Sequence, residues 1–321
     1  MLKQQNDLQS TDWVDCAKGL GILSVIAGHV FTGLPSEIIY LFHMPLFFFI
    51  GGYLFKPRAA KTYLFSKAKK LLVPYVLFLL LFTIAMIASR VINNDINAYV
   101  IIKIIAMSIY GGEYLTGWLG VFWFITVFFI SQQILNILVL HMEQKVIIAI
   151  VFISLCISYI VGKFVNMPLP LNIGVVFYAV PVMYCGLIAR QWKKNVNIIF
   201  PLAISAVGIY VTIVHPDIMK FNMKSSDYGL PFFSLLVSLG IITLISRVSS
   251  FRFARNPLVI FAGRESMMIM YTHQFIHLSI AVFIFKSELW IFLFTAVMSL
   301  LVSYVISRLK VLIYKESKSV A

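Results

Sequence analysis

Residues 71–91, LLVPYVLFLLLFTIAMIASRV, form an apolar stretch with a single charged residue, Arg90. A helix of about 20 mostly apolar residues spans the hydrocarbon core of a membrane. Comparable stretches recur along all 321 residues, of which 61% are hydrophobic and 12% charged. A soluble domain is usually about 45–50% apolar and about 25% charged. The composition therefore excludes a soluble, disordered or disulfide-rich secreted protein and predicts an all-α, polytopic membrane protein.

Ten stretches are long and apolar enough to be spans, and we expect them to form a single membrane domain over residues 1–321. The ninth is long enough to tilt or to break near Gly263. Residues 99–110 are apolar but short and contain Lys103, so we expect them to be re-entrant or interfacial. The ten predicted spans are residues 14–33, 38–55, 71–91, 117–140, 145–162, 172–189, 197–215, 229–246, 257–284 and 289–312.

The net charge of +14 tests this topology. With ten spans, 20 of the 26 lysines and arginines fall on one side and 6 on the other, while the acidic residues divide evenly. Cytoplasmic loops of membrane proteins are rich in lysine and arginine. Both termini are therefore predicted to be cytoplasmic, and the positive charge indicates topology rather than nucleic-acid binding.

Ionisable residues inside spans are costly and mark candidate sites. In the first span, Asp15 and Lys18 are three residues apart and can pair on one helix face. Lys18 and His29 project from the same face, about 16 Å apart along the axis. Lys18 therefore lies near the cytoplasmic surface and His29 in the outer half. The structural alternative is that Lys18 snorkels to the interface and His29 is a hydrogen-bonded packing residue.

Two further histidines are expected at a depth similar to that of His29. His43 follows the short turn into the second span, and His273 lies about 24 Å along the ninth. Pro45 frees backbone groups near His43, whereas Gly51 and Gly52 permit close helix packing. The histidine and cysteine spacings fit no metal site. A neutral histidine in a low-dielectric cavity accepts a proton from a hydroxyl, although structural hydrogen bonds would also explain these residues.

Six basic residues lie between positions 56 and 70, among them Lys67, Lys69 and Lys70. Such a segment binds either anionic lipid or a polyanionic cytosolic ligand, for example the phosphates of a nucleotide or of coenzyme A. Arg264, at the inner end of the ninth span, either neutralises Glu265 or adds to these ligand-binding charges.

The first two spans carry motifs that resemble those of the acyltransferase 3 family. Asp15-x-x-Lys18-Gly19, with His29 after ten intervening residues, is similar to the family's first-helix motif. Within the family, lysine before Gly19 resembles the fucose 4-O-acetylase branch. The resemblance covers residues 12–312. Further similar positions are the run His43-Met-Pro-Leu-Phe-Phe-Phe-Ile-Gly-Gly-Tyr-Leu-Phe55, Trp123-Phe124, Gly263-Arg264-x-Ser266, Tyr271 and His273.

The resemblance implies a multi-pass enzyme of the inner (plasma) membrane. It would move an acetyl or other acyl group from cytosolic acetyl-CoA to a hydroxyl of a cell-surface or exported carbohydrate, such as an O-antigen, capsule or exopolysaccharide on a lipid carrier. No metal is implied. The family's Arg-x-x-Arg pair falls on Lys67 and Lys70, and we expect no extracytoplasmic hydrolase-like domain.

Under this hypothesis Lys67, Lys69, Lys70 and Arg264 bind acetyl-CoA. Lys18, positioned by Asp15, helps to place the pantetheine arm or the thioester, and His29 acts as general base or carries the acyl group. His43 and His273 orient the acceptor or stabilise the developing oxyanion. Membrane lipids are the remaining partners, and homo-oligomer formation stays open. The alternatives are a transporter or flippase for a glycolipid or small polar substrate, and a receptor or scaffold.

Overall fold

The structure is a computed structural model that describes residues 2–95, 97–165, 167–191 and 197–319. Lys193 and Lys194, two of the predicted cytoplasmic charges, lie outside the described residues. The helices are α1 (Leu2–Val30), α2 (Leu34–Tyr40), α3 (His43–Tyr53), α4 (Ala60–Lys67), α5 (Val73–Ile92), α6 (Ala98–Tyr110), α7 (Trp123–His141), α8 (Gln144–Phe164), α9 (Ile173–Ala189), α10 (Ile199–Val214), α11 (Pro216–Met219), α12 (Phe233–Ser250), α13 (Pro257–Arg264), α14 (Ser266–Ile276), α15 (Val282–Ile284) and α16 (Glu288–Ser319).

Short irregular segments join these helices. Two π-helical segments, Ala68–Leu72 and His277–Ala281, continue α4 and α14. Strands β1 (Phe221–Asn222) and β2 (Asp227–Tyr228) form an antiparallel pair. Turns of 3₁₀ helix occupy Gly112–Tyr114, Gly117–Leu119, Pro170–Asn172, Met223–Ser225 and Arg252–Ala254.

The helices confirm the all-α, polytopic membrane architecture. Within the described residues, nine segments are long and apolar enough to cross a membrane, and they overlap nine of the ten predicted spans. The third begins earlier than predicted, at Ala60, and the ninth later, at Ser266. The predicted span 197–215 corresponds to α10, whose 16 residues rise only about 24 Å. Helix α6 has 13 residues, too few to span on its own. It folds back along α5, where the Thr83 and Ser108 hydroxyls are 3.0 Å apart.

The chain divides into two compact units, and the first, the N/C unit, comprises residues 1–39 and 245–321. Its helices α1 and α13 cross almost backbone to backbone. A Cβ atom on Gly19 would lie 2.0 Å from the Val259 carbonyl oxygen, and one on Gly263 would lie 1.7 Å from that of Asp15. Only glycine permits this approach, which resembles the small-residue contacts common between membrane helices.

The second unit, the central unit, comprises residues 40–244. Helices α3 and α9 pack through glycines in the same reciprocal way. A Cβ on Gly52 would lie 1.8 Å from the Met183 carbonyl oxygen, and one on Gly186 would lie 2.0 Å from that of Phe49. A Cβ on Gly51 would lie 2.7 Å from the Phe128 ring of α7. The predicted close packing at Gly51 and Gly52 is therefore confirmed.

Pro45 lies in the first turn of α3, and Leu41 and Phe42 separate that helix from α2. In an uninterrupted helix the N–H of residue 45 would bond the carbonyl of Leu41, but proline has no N–H. In the structure the Ser238 hydroxyl of α12 donates to that Leu41 carbonyl. Inside a membrane every backbone polar group needs a partner. A side chain from another helix thus supplies the hydrogen bond that Pro45 removes.

Candidate functional site

The structure brings His29 and His273 into contact in the N/C unit. Their ring centroids are 5.5 Å apart, with the ring planes tilted by 32°. His29 is the penultimate residue of α1 and is partly exposed, whereas His273 on α14 is fully buried. Both residues were predicted to lie in the outer half of their spans, and their contact shows that they lie at the same level of this unit.

The hydrogen bond of His273 determines which of its nitrogens is available for chemistry. Nδ1 lies 3.0 Å from the carbonyl oxygen of Ile269, one turn earlier. Because a carbonyl only accepts, Nδ1 must carry the proton and donate it, which leaves Nε2 as the acceptor nitrogen of a neutral ring. Nε2 is buried and has no hydrogen-bond partner among the described residues. It can therefore accept a hydrogen bond or proton from a ligand.

Two departures from α-helical geometry flank His273. The helix breaks at Glu265, whose φ of −94° and ψ of 13° separate α13 from α14. The predicted break near Gly263 is thus confirmed. On the other side, the π-helical segment begins at His277, one turn after His273. Such π segments are rare and occur frequently at functional sites.

The cytoplasmic end of the same unit, as predicted from the charge pattern, carries a four-membered ionic network. The Lys18 ammonium lies 2.7 Å from the Asp15 carboxylate, which confirms the predicted pair. The Arg264 guanidinium lies 3.1 Å from Asp15 and 3.2 Å from Asp12. Sequence reasoning did not single out Asp12, and it weighed Glu265 as the partner of Arg264.

The glycine crossing builds this network. Because Gly263 rests on the backbone of Asp15, the adjacent Arg264 is held beside the carboxylates of α1. Two positive and two negative side chains balance one another, although over half of the Arg264 side chain remains exposed. The network and the histidine pair occupy two levels of α1, since Lys18 and His29 differ by about 16 Å in rise.

The basic segment of the central unit projects from α4 and the π segment after it. Lys67 is half-buried, with its ammonium 5.2 Å from the Tyr63 ring centroid, whereas Lys69 and Lys70 are exposed. Arg58 adds a further charge that interacts electrostatically with Lys67. In the part of the chain that the structure describes, none of these four residues forms an ion pair with a carboxylate. They therefore present uncompensated positive charge.

The loop that carries Arg58 is held in place through its backbone. The Asn136 side chain of α7 accepts from the Arg58 N–H at 3.1 Å and donates to the Arg58 carbonyl at 2.9 Å. The Arg190 guanidinium donates to the Phe55 carbonyl at 3.0 Å. Asn136, a buried polar residue in the fourth predicted span, is the sequence signal that could have identified this pair of hydrogen bonds.

His43 lies in the central unit and is buried at the start of α3. Its ring contacts that of Tyr40 edge to face, at 4.8 Å between centroids. Among the described residues, no group of three histidine, cysteine or carboxylate side chains is arranged to bind a metal. The residues that can bind a cofactor are instead the uncompensated cations, which suit a phosphorylated ligand.

A family model described as an acyltransferase domain matches residues 11–308, nearly the whole chain. The match includes all of the predicted site residues in both units. No curated protein and no solved structure matches the chain.

Proposed function

Because the chain belongs to the acyltransferase 3 family, we propose that it transfers an acetyl group from cytosolic acetyl-CoA to a hydroxyl of a cell-surface or exported carbohydrate. The enzyme class is acyltransferase, so the transporter and scaffold alternatives no longer apply. The fucose 4-O-acetylase-like branch and the inner-membrane location remain parts of the proposal. The observation that carries it is the His29–His273 contact, with Nε2 of His273 buried and without a hydrogen-bond partner among the described residues.

The reaction needs a base for the acceptor hydroxyl. In the proposed mechanism His29 accepts the hydroxyl proton while the oxygen attacks the thioester carbonyl carbon. The C–S bond then breaks, and the proton held by His29 goes to the departing coenzyme A thiolate. His273 accepts a hydrogen bond from the acceptor sugar through Nε2 and so holds it beside His29.

The donor would be bound through its charged end. Lys67, Lys69 and Lys70, together with Arg58, supply positive charge for the phosphates of coenzyme A. Lysine lacks the planar fork of arginine, so these contacts act as point charges. In the N/C unit, Lys18 is held by Asp15 and lies about 16 Å along α1 from His29. An extended pantetheine arm suits that separation, and Lys18 would contact it near the phosphate end.

The first prediction concerns His29. Membranes that contain the protein and their own glycans are incubated with acetyl-labelled acetyl-CoA, and base-labile label is counted in the glycan fraction. We expect H29A to reduce transfer about 10²-fold or more, because it removes the general base. The matched control, H215A, alters an exposed histidine at a loop end and should leave transfer unchanged. Near-normal transfer by H29A would refute the role assigned to His29.

The second prediction concerns the basic segment. We expect the double variant K67A/K70A to raise the KM for acetyl-CoA about tenfold while kcat changes little, since the lost charges bind the donor and not the reacting atoms. Steady-state kinetics at fixed ionic strength measures both constants. The control K103A/K163A removes two exposed lysines from predicted outer segments. A KM equal to that of the control would reject the coenzyme A contact.

A further inference from the structure

Three loops of the central unit meet at one end of its helices, on the side predicted to face away from the cytoplasm. One loop precedes α7, the second precedes α9, and the third contains the β1–β2 hairpin. The Lys224 ammonium donates to the Leu115 carbonyl at 2.5 Å, and the Asn172 side chain donates to the Lys224 carbonyl at 2.9 Å. The Tyr110 hydroxyl donates to the Pro168 carbonyl at 2.7 Å. Each loop is thus bonded to another.

The backbone of this loop cluster is tightly constrained. Leu171, Asn172 and Ser226 all adopt left-handed conformations, with φ values of 54°, 60° and 58°. Such conformations are costly outside glycine and persist when the surrounding packing enforces them. A Cβ on Gly112 would lie 2.6 Å from the Asn172 backbone nitrogen, so the two loops are in direct backbone contact. The cluster is therefore preformed rather than shaped by a ligand.

A half-open cavity of about 220 Å³ lies within the cluster. At about 30 Å³ for each water molecule, it has room for roughly seven, a volume suited to a single sugar ring. Its lining is mixed in character. The polar lining residues include Glu113, Asn172, Ser225 and Ser226, and the apolar ones include Val165 and Pro168.

Glu113 is the carboxylate that lines this cavity, and its oxygens can accept hydrogen bonds from a ligand. It is half-buried, yet no hydrogen bond or ion pair links it to any residue that the structure describes. Burial raises the pKa of its carboxyl, the positive charge of Lys224 opposes this, and Asp227 adds to it. A partly desolvated carboxylate without a donor gains from a ligand that supplies O–H groups.

The charges around the cavity favour a neutral ligand. Glu113 repels anions, while the positive charge of Lys224 acts on Glu113 and disfavours cations. The Lys224 ammonium is already engaged by Leu115, and burial lowers its pKa to about 8, against the opposing effect of Glu113. Lys224 therefore stabilises the loops and the nearby carboxylate rather than serving as an anion site.

We propose that this cavity is a binding subsite for a neutral sugar ring, with Glu113 accepting hydrogen bonds from neighbouring hydroxyls and the Val165 and Pro168 side chains packing against the apolar C–H groups of the ring. The inference rests on the proposed function in one respect: the ring belongs to the glycan acceptor. Sugar rings combine hydroxyls with apolar C–H faces, and the lining of this cavity offers both polar and apolar groups. Asn172 and Ser226 supply the remaining polar contacts.

Binding is measured without reference to catalysis. Purified full-length protein in lipid nanodiscs is mixed with methyl glycosides of neutral hexoses and 6-deoxyhexoses, and saturation-transfer NMR reports bound rings. We expect at least one glycoside to bind and E113Q to weaken it about tenfold or more, since a hydrogen bond to a charged group is lost. The matched control, E143Q, neutralises an exposed carboxylate. Glu143 immediately precedes α8, whereas the cavity lies at the C-terminal end of that helix.

A second variant tests the cavity without touching Glu113. A Cβ on Gly174 would meet only the side chains of Val161 and Leu169, at 3.2 and 3.4 Å, and would lie 4.0 Å from the Ser226 hydroxyl. Alanine is favoured over glycine in helices, so G174A should fold normally. We expect it to reduce glycoside binding several-fold by narrowing the cavity floor.

The outcomes separate this inference from the proposed function. Glycoside binding that depends on Glu113, in a protein that transfers no acetyl group, would support the subsite and refute the proposed function. Acetyl transfer to glycan, in a protein whose glycoside binding is absent or does not depend on Glu113 and Gly174, would support the proposed function and refute the subsite. Binding that is equal in wild type, E113Q and G174A overturns the subsite.

Discussion

At the scale of single residues, His273 shows how one backbone contact prepares a side chain for chemistry. Its Nδ1–H is committed to the Ile269 carbonyl, which holds the ring and selects the tautomer with Nε2 as acceptor. The ring of His29 then packs against it. Structural and chemical roles are thus divided between the two nitrogens of a single imidazole, and a substitution can remove one role without the other.

The third prediction uses that division. Asparagine at position 273 can place its amide N–H near Nδ1 and keep the bond to Ile269, but it has nothing at Nε2. We expect H273N to fold with a melting temperature near that of wild type and to lose about 10²-fold in kcat. H277N, one turn further along, is the matched control and should stay active. Wild-type kcat in H273N would show that Nε2 takes no part.

Much of this arrangement followed from helix geometry alone. The angle and rise per residue predicted Lys18 and His29 on one face, and the depth estimate placed His273 at a depth similar to that of His29. The tautomer could not be predicted, since it depends on a local hydrogen bond that any histidine in a helix can make or omit. The pairing of Arg264 with Asp12 was also missed, because those residues are 252 positions apart and meet only where α1 crosses α13.

At the scale of helices, the crossing of α1 and α13 depends on two glycines. Gly263 lets the Asp15 carbonyl approach to a distance that no side chain allows, and the ionic network forms beside that contact. The apolar pattern predicted the break in the ninth span but not the π segment after His273, since one extra residue in a turn leaves the apolar content unchanged. Helix α10 is shorter than the predicted span. The apolar pattern did not predict this, because it shows which residues suit a membrane and not where helical hydrogen bonding ends.

The fourth prediction follows from the crossing. In G263A the new methyl group would collide with the Asp15 carbonyl, so α1 and α13 must separate. We expect destabilisation of about 2 kcal/mol or more, typical of overpacking, and loss of acetyl transfer as Arg264 leaves Asp15. Thermal unfolding in detergent measures the first effect. G174A, whose methyl group meets only side chains, is the control for the melting temperature. An unchanged melting temperature and activity in G263A would contradict this account of the crossing.

At the scale of the whole molecule, the charge pattern predicts the orientation of the chain. Under the predicted topology the basic residues are unevenly divided while the acidic ones are not, and the positive-inside rule depends on lysine and arginine rather than on net charge. The same division predicts that the basic segment faces the cytosol, where the proposed donor would be, and that the loop cluster faces the opposite side, where the proposed acceptor would be. Both the donor and the acceptor proposals therefore depend on one orientation.

The fifth prediction tests that orientation directly. In a background with Cys16, Cys156 and Cys185 replaced, D217C and K61C each introduce one thiol at an exposed position. We expect a membrane-impermeant maleimide to label D217C in intact cells and K61C only after lysis. Each variant is the control for the other. Labelling of K61C before lysis, with D217C protected, would invert the predicted topology.

The hydrogen bond from Ser238 to the Leu41 carbonyl has a consequence for how this chain can evolve. While Pro45 is present, loss of the Ser238 hydroxyl leaves a carbonyl unsatisfied in a membrane-embedded helix, which is costly. Once a substitution of Pro45 restores an N–H at that position, the Leu41 carbonyl has a donor in its own helix. Substitution of Ser238 then no longer leaves that carbonyl unsatisfied. The effects of the two substitutions are therefore non-additive. Among descendants of this sequence, the proline is expected to be lost before the serine.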